Sequence, residues 1–282
     1  MRYASYVSRE GRPTWGVEQD GTLFDLGPSG TGVAETLKDF IALGPLGAIG
    51  VDLSGAPQIA VDDAQFLPVI PEPGKIICIG VNYRSHQDEI GKPAPKAPTV
   101  FTRFADSQMG HGRPAVRPDT TTQFDYEGEL ALVIGRPAHR VVAEDAWDVI
   151  AGYAAYNDFS VRDWQRAASQ WTPGKNFADT GGFGPFLVAA ADVPDVASLS
   201  LETRVNGEVR QSASVADLVF TIPQLIAYVT GFTALSAGDV IVTGTPGGTG
   251  MFMEPQGLLV GGDIVEVEIT GLGVLKNTVV QE

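Results

Sequence analysis

Cysteine is nearly absent. The 282-residue chain has one, Cys78, inside the apolar run from Lys75 to Gly80. A single cysteine excludes an intrachain disulfide and argues strongly against a cysteine-based zinc site. Cys78 therefore reads as a small buried hydrophobe. Histidine is also scarce, with only His86, His111 and His139, so a histidine-rich metal site would be cramped. Charge is sparse and one-sided: 19% of residues are charged, and 34 Asp+Glu against 19 Lys+Arg leave a net charge of -15. That shortage of basic surface argues against nucleic-acid partners, because phosphate binding needs cations. No apolar run reaches the ~18 residues that a membrane span requires. Met1 to Tyr6 lacks the apolar region of a signal peptide. The expectation is a cytoplasmic protein with no membrane partner.

What is present points to a folded, β-rich chain. Hydrophobic residues make up 44%, enough for a sizeable core, and the 34 glycines imply many turns. Arg2 to Ser8, Thr14 to Glu18 and Thr22 to Leu26 read as short strands separated by hairpin-type turn signals. Ala34 to Ile41 carries apolar residues at helical spacing. The stretch Pro71-Glu72-Pro73-Gly74 interrupts any regular element before the Lys75 strand. We place a boundary there, between a small α+β unit, 1–70, and a larger β-rich unit, 71–282. In the larger unit Ile150 to Tyr156 reads as a buried strand. Ser160 to Ala168 reads as a helix, with Ser160 and Asp163 spaced as a capping pair. Ile222 to Phe232 reads as a second helix, opened by Thr221 and Pro223. Gly262 to Ile269 and Val274 to Val280 read as a closing hairpin. The fold class expected is α+β and β-rich.

The most informative stretch is Asp125-Tyr126-Glu127-Gly128-Glu129-Leu130, running into Ala131-Leu132-Val133-Ile134. It has the look of a strand entering a core, yet it carries two carboxylates two residues apart. Side chains alternate along a strand, so Glu127 and Glu129 share a face. Two adjacent anions repel and resist burial unless a cation lies between them. A hard divalent metal with oxygen ligands is the simplest such cation. Two carboxylates alone hold a metal weakly, and Asp158 is the best third donor. Pattern alone leaves Asp158 open between a ligand and a helix cap. Asp125 falls on the same face by parity and is assigned structural hydrogen bonding.

In the stretch Asn82-Tyr83-Arg84-Ser85-His86-Gln87-Asp88-Glu89, a helix would place His86 and Glu89 on one face at i,i+3. A carboxylate beside an imidazole orients it as a general base, although the spacing by itself is weak. The proline-rich segment that follows suggests a lid, with Arg84 to Pro98 mobile until a ligand draws it closed. The run Thr243 to Gly250 looks at first like a phosphate loop but lacks the Gly-Lys-Ser/Thr ending. It fits better as a loop that binds a small carboxylate through backbone amides and a threonine hydroxyl.

In order, the chain shows Asn-Tyr-x-x-His-x-x-Glu from Asn82, Asp-Tyr-Glu-x-Glu-Leu from Asp125, and Asp158 before Arg162-Asp163-Trp164-Gln165. Trp171-Thr172-Pro173-Gly174-Lys175 and Thr243-Gly244-Thr245-Pro246 complete the set. Over roughly residues 70–282 this resembles the fumarylacetoacetate hydrolase family, in its acylpyruvase-like or 2-hydroxyhepta-2,4-diene-1,7-dioate isomerase-like branch. The resemblance implies a mixed β-sandwich roll and a homodimer. It implies Mg²⁺ or Mn²⁺ held by Glu127, Glu129 and Asp158, with His86 and Glu89 activating water from a lid. It further implies that Lys175 contacts substrate near the metal, and that Arg162, Gln165 and Thr245 bind substrate. Two departures bear on substrate identity: Arg103 stands where many members carry lysine, and the Lys175 to Pro185 run is more open than the common Lys-x-Phe-Asp-Thr.

The chemistry expected from that resemblance is Mg/Mn-dependent hydrolysis of a C–C bond in an acylpyruvate-like 2-oxo acid, a small anionic substrate. His86 would deprotonate water, and metal and Lys175 would stabilise the departing enolate. Omitting the water step gives an oxaloacetate-type decarboxylase or a 2-hydroxy-dienoate isomerase in the same site. A reading from another class is a non-catalytic acidic β module that binds a cation or a sugar.

Overall fold

The computed structural model describes residues 1–91 and 95–282. Two sheets dominate it. The larger has 13 strands, and its centre is an antiparallel pair, Gly128–Ile134 against Ile150–Asp158. Val240–Val242 pairs with the other edge of Gly128–Ile134. Ile76–Gly80 follows in parallel, and Thr99–Arg103 completes that side. On the opposite side, Arg2–Val7 pairs with Leu187–Ala189, with Arg2 facing Val188, so the sheet runs without a break into the first 70 residues. The second sheet has five strands, in the order Glu208–Ser214, Ser200–Val205, Ile264–Ile269, Gly273–Gln281, Ala115–Arg117. This is the sheet-rich mixed architecture expected of the family resemblance, and Ile264–Ile269 with Gly273–Gln281 forms the expected hairpin.

Gly128–Ile134 is buried at every position, and alternation explains why. Leu130, Leu132 and Ile134 face the smaller sheet and pack with Leu201, Val267 and Leu275. Ala131 and Val133 face the other way, against Ile76, Cys78, Val240 and the N-terminal Trp15 and Phe40. A strand covered on both faces needs apolar residues at both parities, so it reads as a continuous run. Each large aliphatic side chain buried this way contributes roughly 1.5–3 kcal/mol. Cys78 is fully buried in that second core, as its surroundings in the sequence implied.

The helix Ile222–Phe232 lies where the sequence places it, with Ile222, Leu225, Ile226 and Val229 buried. Gln224 Oε1 accepts from the Thr221 amide at 2.9 Å and closes its first turn. The N-terminal helix begins later than its apolar spacing suggests, at Leu37, because Thr36 takes the N-cap and accepts from Asp39 N at 3.1 Å. The helix expected from Ser160 is shorter, Arg162–Arg166, and the Ser160/Asp163 capping pair does not form. Ser160 Oγ instead donates to Asp158 O at 2.9 Å, and Asp163 Oδ1 accepts from Thr121 Oγ1 at 2.7 Å. No helix among the described residues is long and apolar enough to cross a membrane.

Candidate active site

The site grows from one end of the central strand pair. Gly128 faces Asn157 in the register, so Glu127 stands opposite Asp158, and Asp158 N donates to Glu127 O at 2.9 Å. The regular strand starts at Gly128, one residue after Glu127, yet the period-two geometry holds across the junction. One carboxylate oxygen from each of Glu127, Glu129 and Asp158 lies within 4.8 Å of the others, and all three residues are buried.

Three buried cations surround these anions. Lys175 Nζ donates to Glu127 Oε2 and to Asp158 Oδ2, both at 2.6 Å. Arg162 Nη1 donates to Glu127 Oε1 at 2.5 Å, and its Nε to Asp125 Oδ2 at 2.9 Å. Arg103 pairs with Asp158 Oδ1 and donates to Thr180 Oγ1 at 2.7 Å. Burial alone would raise the Glu127 carboxyl, but Arg162 and Lys175 outweigh it and bring its pKa down to about 2. Burial likewise opposes charge on Lys175, and Asp158 and Glu127 reverse that, raising its pKa.

Glu129 differs. Its one described partner is a backbone amide, Gly244 N, donating to Oε2 at 2.5 Å. Burial, then the charges of Asp158 and Glu127, push its carboxyl well above the usual range. Four carboxylates, Asp125 included, therefore face three cations, with Glu129 as the anion lacking a cationic partner. Three hard oxygen donors with one uncompensated charge fit a divalent cation. Each Glu127 and Asp158 oxygen already accepts from a cationic side chain and keeps a second lone pair.

Lys175 reaches this cluster through a close backbone approach. A Cβ on Gly174 would lie 2.3 Å from Gln165 N, so only glycine lets the Thr172–Lys175 turn pack against the Arg162–Arg166 helix. Gln165 Oε1 accepts from Arg162 Nη1 at 3.0 Å, leaving its NH₂ as a donor at the cavity. The cavity has a volume of about 200 Å³. Its floor carries Glu127, Glu129, Arg162 and Lys175, and its walls include Phe101, Trp171, Met251 and Phe252. Asp158 is fully buried behind Lys175 and Arg103.

His86 forms the roof. The helix Arg84–Ile90 is formed, and its His86 and Ile90 line the cavity. Lys92, Pro93 and Ala94, the middle of the expected lid, lie outside the described residues. His86 Nδ1 and Glu89 Oε2 are 2.8 Å apart, while Glu89 Oε1 accepts from Gly248 N at 2.9 Å. Ser85 Oγ accepts from Gly247 N at 3.1 Å, a second tie between helix and glycine-rich loop. Nδ1 is thus engaged on the Glu89 side, and the ring, packed edge-on against Phe252 at 5.9 Å, lines the cavity.

Two expectations need correction. The four glycine amides of the Thr243 to Gly250 loop are not kept for a ligand. Gly244 N serves Glu129, Gly247 N serves Ser85, Gly248 N serves Glu89, and Gly250 N serves Asp125 at 2.8 Å. Thr245 does line the cavity, but its hydroxyl donates to Gly128 O at 3.0 Å and accepts from Gln211 Nε2 at 2.8 Å. The loop is therefore a bracket that holds the acids and the His86 helix. The second correction concerns Arg103. It touches the acidic cluster and not the substrate cavity, and its bond to Thr180 joins it to the other departure, the Lys175 to Pro185 run.

Asp125 does act structurally, accepting from Arg162, Gly250 and Met251. Gln211, Phe101 and Phe252 are not legible as site residues, whereas Trp171 stands in the Trp-Thr-x-x-Lys motif. Gln211 comes from the smaller sheet and bridges Gly128 N to Thr245 and Pro246 O, with no local pattern to mark it. Asn82 carries a signal, its place in the Asn-Tyr-x-x-His-x-x-Glu motif. Its side chain holds Thr243 O at 2.8 Å and Phe220 O at 3.1 Å.

Comparison with known proteins places this geometry among relatives. The sequence profile described as "Fumarylacetoacetate (FAA) hydrolase C-terminal" matches residues 75–280. The oxaloacetate tautomerase YisK of Bacillus subtilis (strain 168) is 41% identical over 232 residues, spanning 81% of this chain and 77% of that protein. The mitochondrial oxaloacetate tautomerase fahd2 of Xenopus laevis is 36% identical over 289 residues, 99% of this chain and 90% of that one. Among solved structures, the fumarylacetoacetate hydrolase of psychrophilic Exiguobacterium antarcticum superposes with a TM-score of 0.88 at 35% identity, covering 100% of both chains.

Proposed function

Because the chain belongs to the fumarylacetoacetate hydrolase family, we propose that it catalyses proton transfer at the carbon next to the keto group of a small 2-oxo acid, as an oxaloacetate-type keto–enol tautomerase. The observation that carries this reading is the His86–Glu89 pair facing a cavity floored by buried carboxylates and Lys175. Glu89 holds His86 Nδ1, which presents Nε2 as the base. His86 removes a proton from C3, and the C–H electron pair moves to form the C2–C3 double bond of the enolate. Lys175 and the Gln165 NH₂, both lining the cavity, would donate to the oxygen on which negative charge grows. The proton returned to oxygen gives the enol, and returned to carbon gives the keto form. A divalent cation held by Glu127, Glu129 and Asp158 would supply further positive charge against that oxygen. The cavity volume of about 200 Å³ suits a short acid.

Hydrolysis of an acylpyruvate is the second reading. The same His86–Glu89 pair is placed to deprotonate water for attack on the carbonyl β to the keto group, and the Exiguobacterium antarcticum relative is named a hydrolase. One experiment separates the two. Freshly dissolved enol-oxaloacetate and an acylpyruvate are each followed by ultraviolet absorbance with Mg²⁺ or Mn²⁺, and products are assayed. Tautomerisation predicts faster decay of the enol with no pyruvate released. Cleavage of the acylpyruvate into two acids, with no acceleration of enol decay, would replace the tautomerase reading with hydrolysis. Pyruvate and carbon dioxide from oxaloacetate would assign decarboxylation instead.

A further inference from the structure

Among the described residues three Arg or Lys side chains line the cavity, and two are already committed. Arg162 is paired with Asp125 and Glu127, and Lys175 with Glu127 and Asp158. Arg166 is the exception. It lines the same cavity and is exposed at its mouth. Its Nε donates to Arg162 O at 3.2 Å and its Nη2 to Gln123 Oε1 at 2.6 Å. Both acceptors are neutral, so the guanidinium is oriented without its charge being neutralised by a described residue. Elsewhere the wall is apolar, formed by Ile79, Val81, Ile90, Phe101, Trp171 and Phe252.

Resting on the 2-oxo acid reading above, we infer that Arg166 is the residue that recognises the distal carboxylate of a dicarboxylic substrate, the one remote from the keto group. The helix sets the spacing. Arg166 is four residues beyond Arg162, just over one turn or about 6 Å further along the axis. Arg162 marks the inner end of the cavity by its bond to Glu127. A 2-oxo acid whose keto end faces the acids and Lys175 would therefore extend its far end toward Arg166. A four- or five-carbon diacid spans a gap of that order, and its distal carboxylate would be the anion that Arg166 lacks. A guanidinium takes a carboxylate with charge-assisted, directional hydrogen bonds, whereas an apolar tail would leave that charge unused.

The test is calorimetric binding to the Mn²⁺-loaded protein, with wild type, Arg166→Gln and Arg166→Lys. The probes are oxalate, which lacks a distal group, 3,3-difluorooxaloacetate, a diacid with no C3 proton, and 2-oxobutanoate, a monoacid of the same chain length. Wild type should bind the diacid more tightly than the monoacid. Arg166→Gln should weaken the diacid about 10–100-fold, the usual range for a lost charge-assisted hydrogen bond, and leave oxalate unchanged. Arg166→Lys should restore part of the loss, and KM for oxaloacetate should rise in the same order. Equal preference for diacid over monoacid in wild type and Arg166→Gln overturns the role of Arg166 while leaving the 2-oxo acid reading intact. Failure of wild type to bind oxalate or either 2-oxo acid overturns both.

Discussion

Glu129→Gln tests the charge balance of the site most directly. Glu129 is the cluster carboxylate without a cationic partner, and burial, Asp158 and Glu127 together raise its folded-state pKa above the ordinary value of 4.5. A raised carboxyl binds its proton more tightly in the folded than in the unfolded chain. The stability it contributes is therefore complete below pH 4.5 and is lost as pH rises through the folded pKa. In that window the metal-free protein should lose up to about 1.4 kcal/mol of unfolding free energy per pH unit. For a chain of this size that is a fall in Tm of about 2–3 °C per unit. Glutamine mimics the protonated acid and still offers an oxygen to Gly244 N, so it should remove this slope. Asp25, another buried carboxyl raised by desolvation, slopes the same way but is common to both proteins and cancels in the comparison. Glu127 acts elsewhere: held at about 2, its contribution is present above pH 4.5 and is lost as pH falls toward 2. The assay is urea unfolding of EDTA-treated wild type and Glu129→Gln at half-unit steps from pH 5 to 8. Saturating Mn²⁺ should flatten the wild-type slope, because the cation replaces the proton, and should do little for the variant. Parallel stability–pH curves for the two metal-free proteins would refute the reasoning.

Other consequences follow from the same contacts. His86→Ala should retain Mn²⁺ binding but lose turnover by about 10²–10⁴-fold, the range for a general base; turnover near that of wild type removes His86 from the mechanism. Lys175→Met leaves Glu127 and Asp158 each with one cation in place of two, so the metal-free protein should unfold about 3–5 kcal/mol more easily, with Mn²⁺ recovering more stability than in wild type. Unchanged urea midpoints with and without metal would contradict that assignment. Gly80→Ala places a Cβ 2.2 Å from Cζ3 of Trp171, so the indole must leave the cavity wall. A stability loss of about 1–3 kcal/mol and a shift in tryptophan emission are expected, and Trp171→Phe should abolish the emission shift; an unaltered spectrum argues against that wall.

Several parts of the site were legible because they are local. Glu127 and Glu129 share a face by strand periodicity, and the strand register then brings Asp158 opposite Glu127. His86 and Glu89 meet because residues three apart meet on a helix, and their atoms come to 2.8 Å. The helix Ile222–Phe232 and the hairpin ending at Gln281 follow from the same short-range rules. Where local signals competed, the reading failed: Ser160 reads as a cap, but it lies in the short strand before the helix and its hydroxyl donates to Asp158 O.

From the order of its residues alone, this chain determines that two acids must be buried side by side and that an oriented base stands apart from them. Only the tertiary structure decides what makes that burial tolerable. Arg103, Arg162 and Lys175 come from segments 55, 35 and 48 residues away from the acids they neutralise. The glycine-rich loop meets Glu129 across 115 residues and Glu89 across 159. No periodicity encodes such pairings. They exist because the sheet order carries these strand ends to one place, where every buried charge and amide must find a partner or be left at a cost of several kcal/mol.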